Sequence, residues 1–249
     1  MEEKQEEEDL AEGTLLSHLV ELRSRLLVIA ASVIIAFICL LPFSRDIFTL
    51  VSEPLREVLP GNAMIATAVA SPLLTPFKLT FFAALFLAMP VVLFQIWNFI
   101  APGLYKKEKR FAVPLLATSI ILFYLGITFA YIVVFPLMFG FFTSVAPAGV
   151  EVQTDITQFL DFVTTIVFAF GIAFEVPVAT VLVVWAGLTN VEKLGKARPY
   201  VFLMAFIAGM FLTPPDVISQ TLLAVPVYIL YELGIIMSRI FVKKSDTSQ

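Results

Sequence analysis

The chain is poor in residues that carry chemistry. It has one cysteine, Cys39, and one histidine, His18, in 249 residues. A lone cysteine has no disulfide partner and a lone histidine no second ligand, so a disulfide framework and a Cys/His metal cluster are both excluded. No G-x-x-x-x-G-K-[ST] loop, H-E-x-x-H helix or G-x-S-x-G elbow occurs, which removes the phosphate-cradling, zinc-hydrolase and serine-hydrolase signatures. Charge is scarce too, at 14% of residues. These absences argue against an enzyme, and any work the protein does must draw on a partner or an ion gradient.

What fills the chain instead is apolar. Hydrophobic residues make up 59%, with twenty-five phenylalanines and a mean hydropathy of +0.95, against roughly 45–50% apolar residues in soluble domains. That is the composition of a polytopic membrane protein. Lipid offers no water to unpaired backbone groups, so one all-α domain is expected rather than an open sheet. Charge-poor windows, close to the length a helix needs to cross the hydrocarbon layer, fall at about 26–43, 79–100, 111–135, 162–185, 199–213 and 217–231. The last two are short, which predicts local thinning of the bilayer or tilted neighbours. The six-span domain covers residues 15–241, flanked by tails at 1–14 and 242–249. The first twelve residues hold seven acids and one lysine and lack the basic stretch of a cleavable leader, so they read as a solvated acidic tail.

Orientation follows from Lys and Arg. Thirteen of the sixteen lie before the first span, between the second and third, between the fourth and fifth, or after the sixth; only Arg45, Arg56 and Lys78 lie on the other side. Both termini are therefore expected to be cytoplasmic. The two larger outer connections, about 44–78 and 136–161, are punctuated by prolines that include Pro54, which favours an ordered cap. A third outer turn, "TPPD", ends in Asp216 and joins the last two spans.

Four polar features stand out against this background. Glu175 lies mid-span, about 21 Å along a helix from Asp161, too deep to reach either surface. An isolated charge there costs several kcal/mol, on the order of, so it is expected to face a concave, wetter side, with Pro177 bending the helix nearby. In "TLLSHLVELRSRLL" an apolar stripe alternates with His18, Glu21 and Arg25 at helical spacing, as in an interfacial amphipathic helix; Glu21 and Arg25 also suit a simple i, i+4 pair. In "QIWNFIAPGLYKKEKRF" the acid Glu108 sits within a basic cluster that can neutralise it locally. In "GMFLTPPDVISQTLLAVP" Met210, Thr213 and Gln220 place soft or polar groups at membrane depth, for helix packing or for a partner span.

The segments "SHLVELRSRLL", "NFIAPGLYKKEKR", "FAFGIAFEVPV", "KARPYVF" and "LTPPDVISQTLLAVPVYILYE" strongly resemble the TatC family, the receptor subunit of the twin-arginine protein translocase, collinearly from about Leu15 to Phe241. The resemblance implies a glove-shaped six-helix bundle in the bacterial cytoplasmic (inner) membrane. It implies export of folded proteins, driven by the protonmotive force, with the single-span subunits TatA and TatB and with self-association in the receptor complex. The cargo ligand would be a signal peptide with an Arg-Arg pair. Guanidinium forks match fixed carboxylates, and the resemblance assigns the signal-binding patch to the segments of Glu21 and Glu108, with Arg23 and Arg25 holding the acids and Phe99 offering apolar contact. It assigns partner docking to the edge of Met210, Thr213 and Gln220, and leaves Pro54 and Asp216 to the outer cap. No cofactor, metal or nucleic acid is expected. Two other classes stay open: an ion-coupled transporter of a small solute, with Glu175 as its proton or cation site, and a structural assembly factor.

Overall fold

The computed structural model describes the backbone of residues 2–57, 64–100, 109–145, 147 and 153–246, and the side chains of residues 20–57, 64–99, 113–145, 147 and 153–240. Ten α-helices follow in order: α1 Glu2–Leu40, α2 Ser44–Arg56, α3 Ser71–Leu87, α4 Met89–Ile100, α5 Lys109–Phe129, α6 Phe135–Ser144, α7 Ile156–Ala173, α8 Val176–Trp185, α9 Val191–Leu212 and α10 Val217–Asp246. Short 3-10 and π turns join α1 to α2 and α5 to α6. Among the described residues the one extended pairing is a parallel bridge between Ile65 and Asp155. Five helices or continuous helix pairs are long and apolar enough to cross a membrane, and α3 with α4, bent by 48° at Ala88, supplies a sixth.

Span centres fall where the charge-free windows place them; the ends do not. Helix α1 extends back to Glu2 through the acidic segment 1–14 read as a solvated tail, whose Glu, Gln, Leu and Ala are good helix formers. The second span begins at Ser71 instead of 79, since Lys78, taken as a boundary, pairs with Asp161 of α7. The third runs on to Ser144 instead of stopping at 135. There the helix widens, and the Phe135 N–H bonds Ala130 O five residues back. That π register lets the chain pass Pro136, whose missing N–H would break an α-helical ladder. The fifth and sixth spans keep short charge-free centres inside longer helices, 22 and 30 residues.

Prolines inside these helices free carbonyls, and two of these are answered by a tyrosine of another segment. Pro54 has no N–H for Leu50 O, which accepts from the Tyr131 hydroxyl at 2.6 Å. Pro90 likewise frees Phe86 O, which accepts from the Tyr124 hydroxyl at 3.1 Å. In lipid an unanswered carbonyl has no water to turn to, so each tyrosine both satisfies the backbone and ties two helices together.

Packing between helices is close because lipid supplies no hydrophobic drive for their association. The Phe123 ring lies over Gly171, where a Cβ would stand 2.6 Å from Cε2. Gly234 of α10 lies against Pro177 and Thr180 of α8, with a Cβ 2.9 Å from Pro177 Cα. Phe135 stacks on Phe139 at 5.5 Å, within a buried cluster that includes Phe159, Ile166 and Phe170.

Asp155 clamps the connection before α7 to the one before α3. Its Oδ1 caps α7 through the Thr157 and Gln158 N–H groups at 2.8 and 3.2 Å, and its Oδ2 accepts from the Thr67 hydroxyl and N–H at 2.7 and 2.9 Å. The Thr67 hydroxyl, then its N–H, hold the Asp155 carboxyl at about 2 against an ordinary 3.8, with burial opposing and the α7 N–H groups adding.

Two outcomes follow. Because the folded carboxyl is the stronger acid, the clamp contributes fully above the unfolded value and is lost as pH falls from about 4 to about 2; amide exchange at Thr67 should accelerate across that window in the intact chain and be fast at neutral pH in Asp155→Ala. Gly234→Val should destabilise the bundle by about 1–3 kcal/mol, read as a lower Tm in detergent, while Gly140→Ala, with nothing within 4 Å of a new Cβ, should not.

Candidate functional site

Three polar places interrupt the apolar surface. The first lies where α1 passes the end of α4. Arg25, with 20% of its side chain exposed, is the hub. Its Nε donates to Glu21 Oε1 at 3.1 Å and its Nη2 pairs with the same oxygen, the i, i+4 contact the sequence allows. Its Nη1 donates to Gln95 Oε1 at 3.2 Å and Nη2 to Asn98 O at 3.1 Å. Residue 102 is proline and has no N–H to offer, and the guanidinium donates to Asn98 O. One arginine thus fixes the Glu21 carboxylate, 35% exposed, beside the end of α4. Phe99 is half-buried on α4 and Arg23 is exposed. Glu108 lies outside the described residues. Gln95 and Asn98 escaped the sequence reading, although their i, i+3 spacing at the end of an apolar span was a usable signal.

The second place is a groove of about 570 Å³ on one face of the bundle, lined by residues of α3, α7, α8, α9 and α10 that include Phe82, Thr165, Phe168, Ile172 and Leu212. Glu175 sits at the break between α7 and α8, flanked by the groove residues Ala173 and Val176. Pro177 lacks the N–H that would bond Ala173 O, and the Glu175 N–H turns to Ile172 O at 3.0 Å, so the α-helical ladder is interrupted there within a span that runs on from Ile156 to Trp185. The carboxylate is partly buried. Oε2 accepts from the Ser119 hydroxyl of α5, while Oε1 is buried and has no partner. Ser119 was missed because its contact spans 56 residues of sequence.

The third place is the α9–α10 edge. Met210 is 51% exposed, Thr213 is buried and Gln220 is half-buried. The Thr213 hydroxyl lies 2.9 Å from Gly209 O and 3.3 Å from Pro214 O, so its one hydrogen serves the turn. A donor from a partner could still use the lone pairs of the same hydroxyl, while Met210 and Gln220 present side chains at the surface of this edge. Asp216 starts α10, its Oδ1 accepting from the Ser219 N–H at 2.7 Å. At the opposite end of the two helices Arg198 bonds Glu232 through Nη2 at 2.8 Å, and Tyr228 donates to the same acid at 3.1 Å. Neither Arg198 nor Glu232 was singled out from sequence, though an acid in an apolar helix beside an arginine-bearing one invites that pairing. Pro54 is buried in α2, where its part is to free Leu50 O for Tyr131.

Among the described residues no group of three or more His, Cys, Asp or Glu side chains is placed to hold a metal. The geometry offers fixed carboxylates and hydrogen-bonding edges at a membrane protein's surface.

Comparison with known proteins agrees. The model of the family described as "Sec-independent protein translocase protein (TatC)" matches residues 17–226. A Sec-independent protein translocase protein TatC from Azotobacter chroococcum mcd 1 is 62% identical over 222 residues, covering 89% of this chain and 87% of that one. Its counterpart from Escherichia coli (strain K12) is 57% identical over 231 residues, covering 92% and 90%. A crystal structure of a twin-arginine translocase receptor, TatC, superposes with a TM-score of 0.80 at 34% identity, covering 90% of this chain and 98% of that one. A second, in the detergent DDM, superposes with a TM-score of 0.81. The chain belongs to the TatC family, a multi-pass membrane component of the Sec-independent protein translocase.

Proposed function

We propose that this chain is the translocase's signal-peptide receptor, in the bacterial cytoplasmic membrane with both termini on the cytoplasmic side, and that it works with TatA and TatB, and with further copies of itself, to export folded proteins on the protonmotive force. The observation that carries this reading is the Arg25 hub. By holding Glu21 against the end of α4 it presents a partly exposed carboxylate near Phe99 and at the head of the segment that carries Glu108. Paired acids at a helix end suit two adjacent guanidinium groups, and an aromatic ring suits the apolar residue beyond them. The distribution of Lys and Arg supports the orientation. Glu175, at the groove, is the polar station for an inserted segment.

Two outcomes test the reading. Glu21→Ala or Glu108→Ala should weaken a twin-arginine peptide by about 1–3 kcal/mol and a twin-lysine peptide far less, with assembly intact; equal loss for both peptides removes the site. Cysteine at Gln220 should crosslink to a cysteine at a polar position of a TatA or TatB span in membranes. If every pair along the Met210–Gln220 edge fails while pairs elsewhere succeed, the docking edge lies elsewhere.

A further inference from the structure

Glu175 is not simply an acid at a groove, because a residue of another span decides where its carboxylate points. Ser119 is 1% exposed, on the inner face of α5. Serine in a helix ordinarily donates its hydroxyl to a carbonyl three or four residues back, and Ser32, Ser144 and Ser238 all do so here. Ser119 instead donates across the bundle to Glu175 Oε2. Among the described residues Oε2 has that one donor and Oε1 none, although Oε1 is buried. Glu175 stands at the junction of α7 and α8, where its N–H bonds Ile172 O three residues back.

We propose that Ser119 is a positioning residue: its hydroxyl tethers one carboxylate oxygen of Glu175 to α5 and leaves the other buried and without a partner behind the groove residues Ala173 and Val176, as the acceptor for a hydrogen-bond donor on a helix that inserts there. The inference rests on the reading of Glu175 as a functional polar station. A lone carboxylate on a broken helix would sample several rotamers, and a donor arriving in the groove would have to order it. With Oε2 already held, an arriving hydroxyl or amide N–H meets an acceptor fixed in place. The second oxygen is buried as well, and a buried polar atom gains from a donor that reaches it.

The test is a double-mutant cycle in membrane vesicles containing the full translocase, reading export rate, with chain level and Tm as controls. Ser119→Ala should slow export about fivefold, the order expected from losing one hydrogen bond. Ser119→Thr, which keeps the hydroxyl, should restore it. In a Glu175→Ala background Ser119→Ala should have no further effect, because its only route is through the carboxylate. An equal loss from Ser119→Ala with or without Glu175, or no rescue by threonine, overturns the positioning role and leaves Ser119 a packing residue. If Glu175→Ala slows export and Ser119→Ala does not, the tether falls while the Glu175 reading stands. If Glu175→Ala leaves export unchanged, both fall.

Discussion

A backbone carbonyl that has lost its N–H is the problem around which this bundle is organised. Water would answer such a carbonyl on a soluble protein's surface, and lipid does not. Fifteen prolines run through the chain, several inside helices. Where Pro54 and Pro90 withhold their N–H, the carbonyls of Leu50 and Phe86 accept from Tyr131 and Tyr124, and at the end of α4 Asn98 O accepts from Arg25, each donor on another helix. Proline that would merely weaken a soluble helix here creates the sockets by which helices find one another. Glycine does the complementary work, letting Phe123 onto α7 and α8 onto α10 where no hydrophobic drive would hold them.

The same logic places the functional groups. Arg25 serves as the donor for the Asn98 carbonyl and as the clamp on Glu21, so the site acid is fixed by a residue that also bonds the backbone. Glu175 sits at the one break whose proline, Pro177, frees a carbonyl next to the groove, and the Ser119 tether crosses at that level. Polar groups cluster where the ladder is interrupted, because an interrupted ladder already needs them. A bundle built this way can offer hydrogen bonds to an incoming span without exposing an unanswered surface to lipid.

Much of this was legible in sequence because lipid leaves few options. Six spans, an all-helical fold and the mid-span Glu175 follow from hydropathy and length, and the pair of Glu21 with Arg25 follows from helical spacing. Span ends were less legible. Lys78 and Asp161 each read as a limit, yet they pair with one another across α3 and α7 and let both helices run past them. Pro136 read as a stop, yet the π turn carries the helix beyond it. Tertiary donors were not legible at all: Tyr131 reaches Leu50 across 81 residues and Ser119 reaches Glu175 across 56. The Thr213 hydroxyl was read only as a group for a partner, and its bond to the carbonyl of its own turn was not foreseen.

The account stands or falls on whether the surface beside the Arg25 hub receives the arginine pair. A photocrosslinking side chain placed at Leu22, which is exposed, or at Phe99, in membranes that also hold the partner subunits, tests this directly. The account predicts capture of a twin-arginine signal peptide at both positions, displaced by excess unlabelled twin-arginine peptide and not by its twin-lysine counterpart. Capture confined to a groove position such as Ile172, or equal displacement by both peptides, would contradict it.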